Sequence, residues 1–112
     1  MERTLKCWGE RWLLRKDATH ATSYLKLKEG TRCSWHRHAA KFNFFVILEG
    51  KIGIRTDDGE VLLKPGECFT INPGEWHEFR VYKNSRVIEI MYVQYDENDI
   101  ERQNQGGKLH DH

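Results

Sequence analysis

A period of two residues governs most of this chain. Ser23-Tyr24-Leu25-Lys26-Leu27-Lys28 alternates polar and apolar side chains, the pattern of a strand with one buried face. Residues 42–48 form a longer apolar run that ends at Glu49-Gly50. Residues 51–56 resume it, and Asp57-Asp58-Gly59 predicts a hairpin because glycine accepts positive φ. A return strand over 60–63, a turn at Lys64-Pro65-Gly66-Glu67, a short strand over 68–71 and a turn at Asn72-Pro73-Gly74 follow. Two more strands, 77–82 and 86–95, flank a turn at 83–85. About seven or eight short strands at close spacing predict an all-β sandwich or barrel. At the ends, Trp8, Trp12, Leu13 and Leu14 predict a short N-terminal arm packed on that body. Asp96 or Asn98 predicts the cap of one helical turn through Ile100 and Arg102, and the polar residues 103–112 predict a frayed C-terminal tail.

Composition narrows the function classes. The 112 residues suffice for one domain. Lys and Arg number 18 against 17 Asp and Glu, a formal charge of +1, which argues against a nucleic-acid binder working through a broad basic field. The longest apolar stretch, residues 44–48, falls far short of the ~20 residues of a membrane helix. The charged N-terminus lacks the apolar segment of a secretory signal. Cys7, Cys33 and Cys68 are odd in number and widely spaced, which predicts reduced thiols in a cytoplasmic protein. The expected partner is a small-molecule substrate, with no nucleic acid and no membrane.

The chemistry-bearing residues are histidines. His36 and His38 stand two apart, so on a strand both imidazoles share a face and can bind one divalent ion. His77 opens a strand whose alternation puts His77, Phe79 and Val81 on one face. A small closed barrel would bring that face towards His36 and His38. Asn43, Phe45 and Ile47 share one parity and are expected to face the core. Phe44, Val46 and Leu48 point the other way, under a second layer or against a partner copy.

These residues resemble the two signatures of the cupins. Gly30, His36, His38 and Gly50 match the first in spacing, with Asn43 in its acidic place. Gly66, Gly74 and His77 match the second, with Asn72 where a proline is usual and Pro73 next to it. The resemblance implies one cupin domain over residues 1–112, its core about 23–95. Its fold would be a small antiparallel β-barrel (a double-stranded β-helix or jelly roll), and it would commonly be a homodimer. More narrowly, the chain is similar to the C-terminal cupin of type II mannose-6-phosphate isomerases. Lys6-Cys7-Trp8-Gly9 resembles the Arg-Pro-Trp-Gly opening of that family, and Cys33-Ser34-Trp35-His36-Arg37-His38 lies over its Ser-Leu-Gln-x-His segment. Val87-Ile88-Glu89-Ile90 and the acidic stretch ending Ile100-Glu101-Arg102 resemble its last strand and tail. His36 and Asn43 depart from it, standing where that family carries Gln and Glu. With no nucleotidyltransferase domain alongside, the likeness implies a related sugar-phosphate cupin.

The predicted cofactor is one divalent metal ion held by His36, His38 and His77, with Asn43 as a marginal fourth ligand. Neutral imidazoles suit Zn, Fe, Ni or Co, and Mn less well. Glu89, in the otherwise apolar run Val87-Ile88-Glu89-Ile90-Met91, is the candidate proton-transfer group if it faces the barrel, and a solvated carboxylate if it does not. Arg37, Lys41 and Arg80 are candidates to grip an anion, and Trp35 and Trp76, each preceding a ligand histidine, to wall the pocket or stack on a sugar. The leading expectation is a metal-dependent, isomerase-like enzyme on a small sugar-like or phosphorylated substrate. The alternatives are an iron-dependent dioxygenase and a non-catalytic small-ligand-binding module.

Overall fold

A computed structural model describes residues 1–92 and 100–109. The strands are β1 (Glu2–Lys6), β2 (Gly9–Lys16), β3 (His20–Leu27), β4 (Thr31–Arg32), β5 (His36–Arg37) and β6 (Phe42–Thr56). They continue with β7 (Gly59–Leu63), β8 (Cys68–Ile71), β9 (His77–Tyr92), β10 (Glu101–Arg102) and β11 (Gly107–Lys108). They join in one curled antiparallel sheet, with no helix among the described residues and so none that could cross a membrane. The long strands β6 and β9 form its spine. They pair from Phe42↔Tyr92 to Thr56↔His77, while β3 extends β9, and β7 and β8 extend β6.

The expected break at 49–50 and the expected turn at 83–85 do not reverse the chain. They face each other across the spine, where the β6–β9 register shifts between Ile47 and Ile52. Two apparent breaks thus merge into one shared bulge, which bends both strands and starts the curl. Gly50 sits there at φ 92°, and a Cβ on it would lie 2.2 Å from Ser85 Oγ and 2.5 Å from the Asn84 carbonyl oxygen. Ser85 Oγ in turn accepts the Lys51 N–H at 3.0 Å. Gly50→Ala is therefore expected to cost about 2–4 kcal/mol, from backbone strain plus a clash that cannot relax without moving β9. Urea denaturation of the two proteins measures it.

The parity read from β6 holds. Directly paired residues share a face, so Ser23, Glu89 and Phe45 form one inner row, and Ala21, Met91, Asn43 and Ile71 the next. All seven are buried. Leu25, Val87, Ile47, Ile52, Ile54, Phe79 and Val81 complete the inner core. Phe44, Val46, Ile88 and Tyr24 lie half-buried on the outer face, and Leu48 is exposed there.

Both ends differ from expectation. The N-terminal arm is a hairpin, β1–β2, which adds two strands to the edge of β3 and packs Trp8 edge-on against Phe79 at 5.2 Å. The tail is docked rather than frayed over its described part. Glu101 and Arg102 pair with Arg37 and His36, and Gly107 and Lys108 with Arg32 and Thr31. The Gln103 and Leu109 N–H groups donate to the Trp35 and Gly30 carbonyls. Gly106 permits the approach, since a Cβ there would lie 2.7 Å from the Arg32 carbonyl oxygen. Backbone pairing of this kind leaves no apolar periodicity to read. Glu101 and Arg102 are strand, not helix; the suggested caps Asp96 and Asn98 lie outside the described residues, as do His110 and His112.

Candidate metal centre

The bend of β9 and the short β5 create the centre. His36 and His77 are direct cross-strand partners, and their ring centroids lie 4.4 Å apart. His38 closes the triangle, 5.0 Å from His36 and 5.6 Å from His77. All three residues are buried, and one ligand atom from each lies within 4.8 Å of the others. Metal–imidazole bonds run about 2.0–2.1 Å, so modest side-chain rotation brings the three onto one ion.

Hydrogen bonds set the tautomers. His36 Nδ1 donates to the Ser34 carbonyl at 2.6 Å, and His77 Nδ1 to the Glu75 carbonyl at 3.0 Å. A carbonyl only accepts, so in each neutral ring the proton sits on Nδ1 and the lone pair on Nε2. His77 Nε2 is buried with no hydrogen-bond partner among the described residues, a position that costs free energy unless something electropositive occupies it. Burial, reinforced by His77 and His38 alongside, pushes His36 down to about 2, and burial pushes His77 down to about 4. Both rings are therefore neutral near pH 7, the state that binds metal. The residues present fit a divalent ion.

His36 and His38 open into a cavity of about 770 Å³, also lined by Lys41, Asn43 and Glu89. Asn43 Nδ2 donates to Glu89 Oε2 at 3.0 Å, while Asn43 Oδ1 is buried with no hydrogen-bond partner among the described residues. Glu89 thus faces inwards, and burial raises its pKa against the opposing pull of Arg11, the Asn43 hydrogen bond, Lys41 and Lys6.

The cupin domain family matches residues 23–93, well over half the chain. The chain is a cupin. No curated protein matches it in sequence. Among solved structures, KdgF from Halomonas sp. aligns with a TM-score of 0.72 at 17% identity, over 78% of this chain and 82% of that one. A cupin-2 protein from Shewanella frigidimarina aligns at 0.66 and 20% identity, over 74% and 79%. Pac13 of Streptomyces, a nucleoside dehydratase, aligns at 0.80 and 9% identity, over 93% and 85%. At these identities the likeness is one of fold.

Several side chains that the sequence marks for substrate stand elsewhere in this cupin. Arg37, Arg80, Trp35 and Trp76 are not among the described residues lining the cavity. Trp35 and Trp76 stack at 6.3 Å, with the Arg55 guanidinium 4.2 Å over Trp35 and that of Arg37 4.8 Å over Trp76. That four-layer stack is built on the two tryptophans that immediately precede His36 and His77 in the chain. Arg37 is also paired with Glu101, and Arg80 with Glu78 and Glu60. Glu78 is fully buried; the Arg55 and Arg80 hydrogen bonds outweigh its burial and hold its carboxyl below the usual range. Cys33 lines the cavity, but burial pushes its thiol pKa far up, and its sulfur is engaged by the Phe79 N–H at 3.1 Å. It is no nucleophile.

Sequence reasoning missed Lys6, Arg11 and Arg102, which line the cavity. Arg11 pairs with the core residue Leu25, and that register, invisible in an edge hairpin's composition, turns it inwards. Arg102 donates to Ser34 Oγ, which lies 3.0 Å from His36 Nδ1. Ser34→Ala loosens both contacts while keeping the carbonyl that sets the tautomer, and is expected to weaken metal binding about tenfold. Competition with a chromophoric chelator measures it.

Proposed function

We propose that this cupin is a metal-dependent enzyme acting on a small polar, sugar-like or phosphorylated substrate by proton transfer. The observation that carries the reading is one cavity lined both by His36 and His38 of a buried three-histidine cluster and by a buried carboxylate, Glu89. When bound, the metal supplies Lewis-acid polarisation of a substrate carbonyl or hydroxyl oxygen. His36, His38 and His77 would hold it, and the buried Asn43 Oδ1 is a further donor for the ion or its water. Glu89 takes a proton from the carbon adjacent to the polarised carbonyl and returns it to the former carbonyl carbon, while the hydroxyl proton passes to the former carbonyl oxygen. Asn43 fixes the orientation of that carboxylate through Oε2. Burial raises its basicity towards neutral pH, where a proton shuttle works best.

Sugar-phosphate isomerisation is the version that the likeness to type II mannose-6-phosphate isomerases suggests. The test loads the protein with Zn, Co, Ni, Mn or Fe in turn and incubates it with mannose 6-phosphate and fructose 6-phosphate. Interconversion that needs the metal and disappears in His77→Ala is the expected result. A loaded protein that interconverts neither sugar rules out the isomerase. Oxygen consumption by the iron form alone would point instead to a dioxygenase.

A further inference from the structure

We infer that Lys6, Arg11 and Arg102 form an oxyanion subsite, which holds the phosphate or carboxylate group of the cavity's ligand. This rests on reading the cavity as the substrate site and adds the chemical class of what enters it.

The three cations come from separate elements, β1, β2 and β10, and line the same cavity as His36, His38 and Glu89. Arg11 is half-buried, while Lys6 and Arg102 are exposed and stand at the mouth. Their mutual proximity shows in Lys6, whose pKa is lowered by burial and then by Arg11 and Arg102. Other arginines pair with carboxylates: Arg3 with Glu10, Arg15 with Asp17, Arg37 with Glu101, Arg55 and Arg80 with Glu78, Arg86 with Glu49. Among the described residues, Lys6, Arg11 and Arg102 form no ion pair, and Arg11 Nε is buried with no hydrogen-bond partner. Arg102 gives one nitrogen to Ser34 Oγ, which aims its guanidinium and ties it to the strand of His36.

Three like charges gathered in a partly dehydrated cavity repel one another, and an entering anion removes that cost. Guanidinium groups present paired N–H donors that match the oxygens of phosphate and carboxylate. The arrangement is therefore a receptor for a small ligand with an anionic end, its remainder reaching towards the histidines and Glu89. A neutral sugar would leave the three charges with Glu89 as the one carboxylate among the described residues lining the cavity.

The test is isothermal titration of the zinc-loaded full chain with inorganic phosphate, glucose 6-phosphate, glucuronate and neutral glucose. Phosphate or glucose 6-phosphate binding assigns the phosphate arm, and glucuronate binding the carboxylate arm. In either case glucose is expected not to bind. Arg11→Gln and Lys6→Gln, checked for an unchanged far-ultraviolet spectrum, are each expected to weaken the anion about tenfold or more. Lys6→Gln is the safeguard for folding, since Lys6 is exposed on an edge strand. Binding that persists after metal removal supports the subsite, and does so even if the chain takes up no metal. Anion affinity unchanged in both variants but lost with the metal places the anion on the ion; it overturns the subsite and leaves the metal reading intact. Glucose binding as tightly as its phosphate overturns it too.

Discussion

Glu89→Gln is expected to lower turnover by about 10²–10⁴-fold while leaving metal content and fold unchanged. The substitution keeps the shape and the hydrogen bond, because a glutamine carbonyl can still accept from Asn43 Nδ2 as Glu89 Oε2 does at 3.0 Å. What it removes is the ability to take and return a proton. Glu89 is not in the histidine cluster, so bound metal should be the same as in the unchanged protein. A loss of kcat with little change in KM is the signature of a group acting in the transition state. The pH profile supplies a second readout. Burial raises the Glu89 pKa above the ordinary carboxylate value, so the acidic limb of kcat should lie above pH 4.5 and vanish in the variant. Full activity in Glu89→Gln would remove Glu89 from the mechanism.

The second large effect is on the metal-free protein in acid. Burial is the main cause that lowers His77 to about 4 and His36 to about 2 in the folded chain, against 6.5 for an unperturbed imidazole. Between those values the unfolded chain binds protons that the folded chain refuses. Stability is therefore fully present above about pH 6.5 and is lost as the pH falls through it, a loss that continues to about 4 for His77 and further for His36. At pH 4.5 each ring accounts for about 2.5 kcal/mol, so a loss of about 5 kcal/mol is expected from the pair. Glu89 acts in the opposite sense, since its raised pKa makes the folded state the better proton acceptor above 4.5. It is one group against two and reduces the loss without reversing it. Urea midpoints at pH 7 and 4.5 measure the net effect. Equal midpoints would contradict the burial of neutral imidazoles on which the centre depends.

The centre was more legible in the sequence than the cavity around it. Side-chain alternation has a fixed period, so one correct parity placed Asn43, Phe45 and Ile47 inside, and the His36–His38 spacing put two rings together. The spine was misread at Glu49-Gly50 and Lys83-Asn84-Ser85, because the same residues that reverse a chain also bulge it. Only pairing distinguishes the two outcomes, and here the two signals pair with each other. The cationic lining was missed because Lys6, Arg11 and Arg102 lie on an edge hairpin and a polar tail. Both are held mainly by backbone pairing, which leaves little periodicity in composition. Arg37 lies between two histidines and Arg80 three residues past His77, and both have the opposite parity to those rings, so on a strand they point to the other face. Lys41, expected near the pocket mouth, is buried and lines the cavity.

The most direct test of the whole account is the metal stoichiometry of the full chain by plasma mass spectrometry after equilibration with a divalent ion and desalting. One equivalent per chain, abolished by His77→Ala and retained by Glu89→Gln, is the predicted result. No bound metal, or the same metal content after His77→Ala, would contradict it.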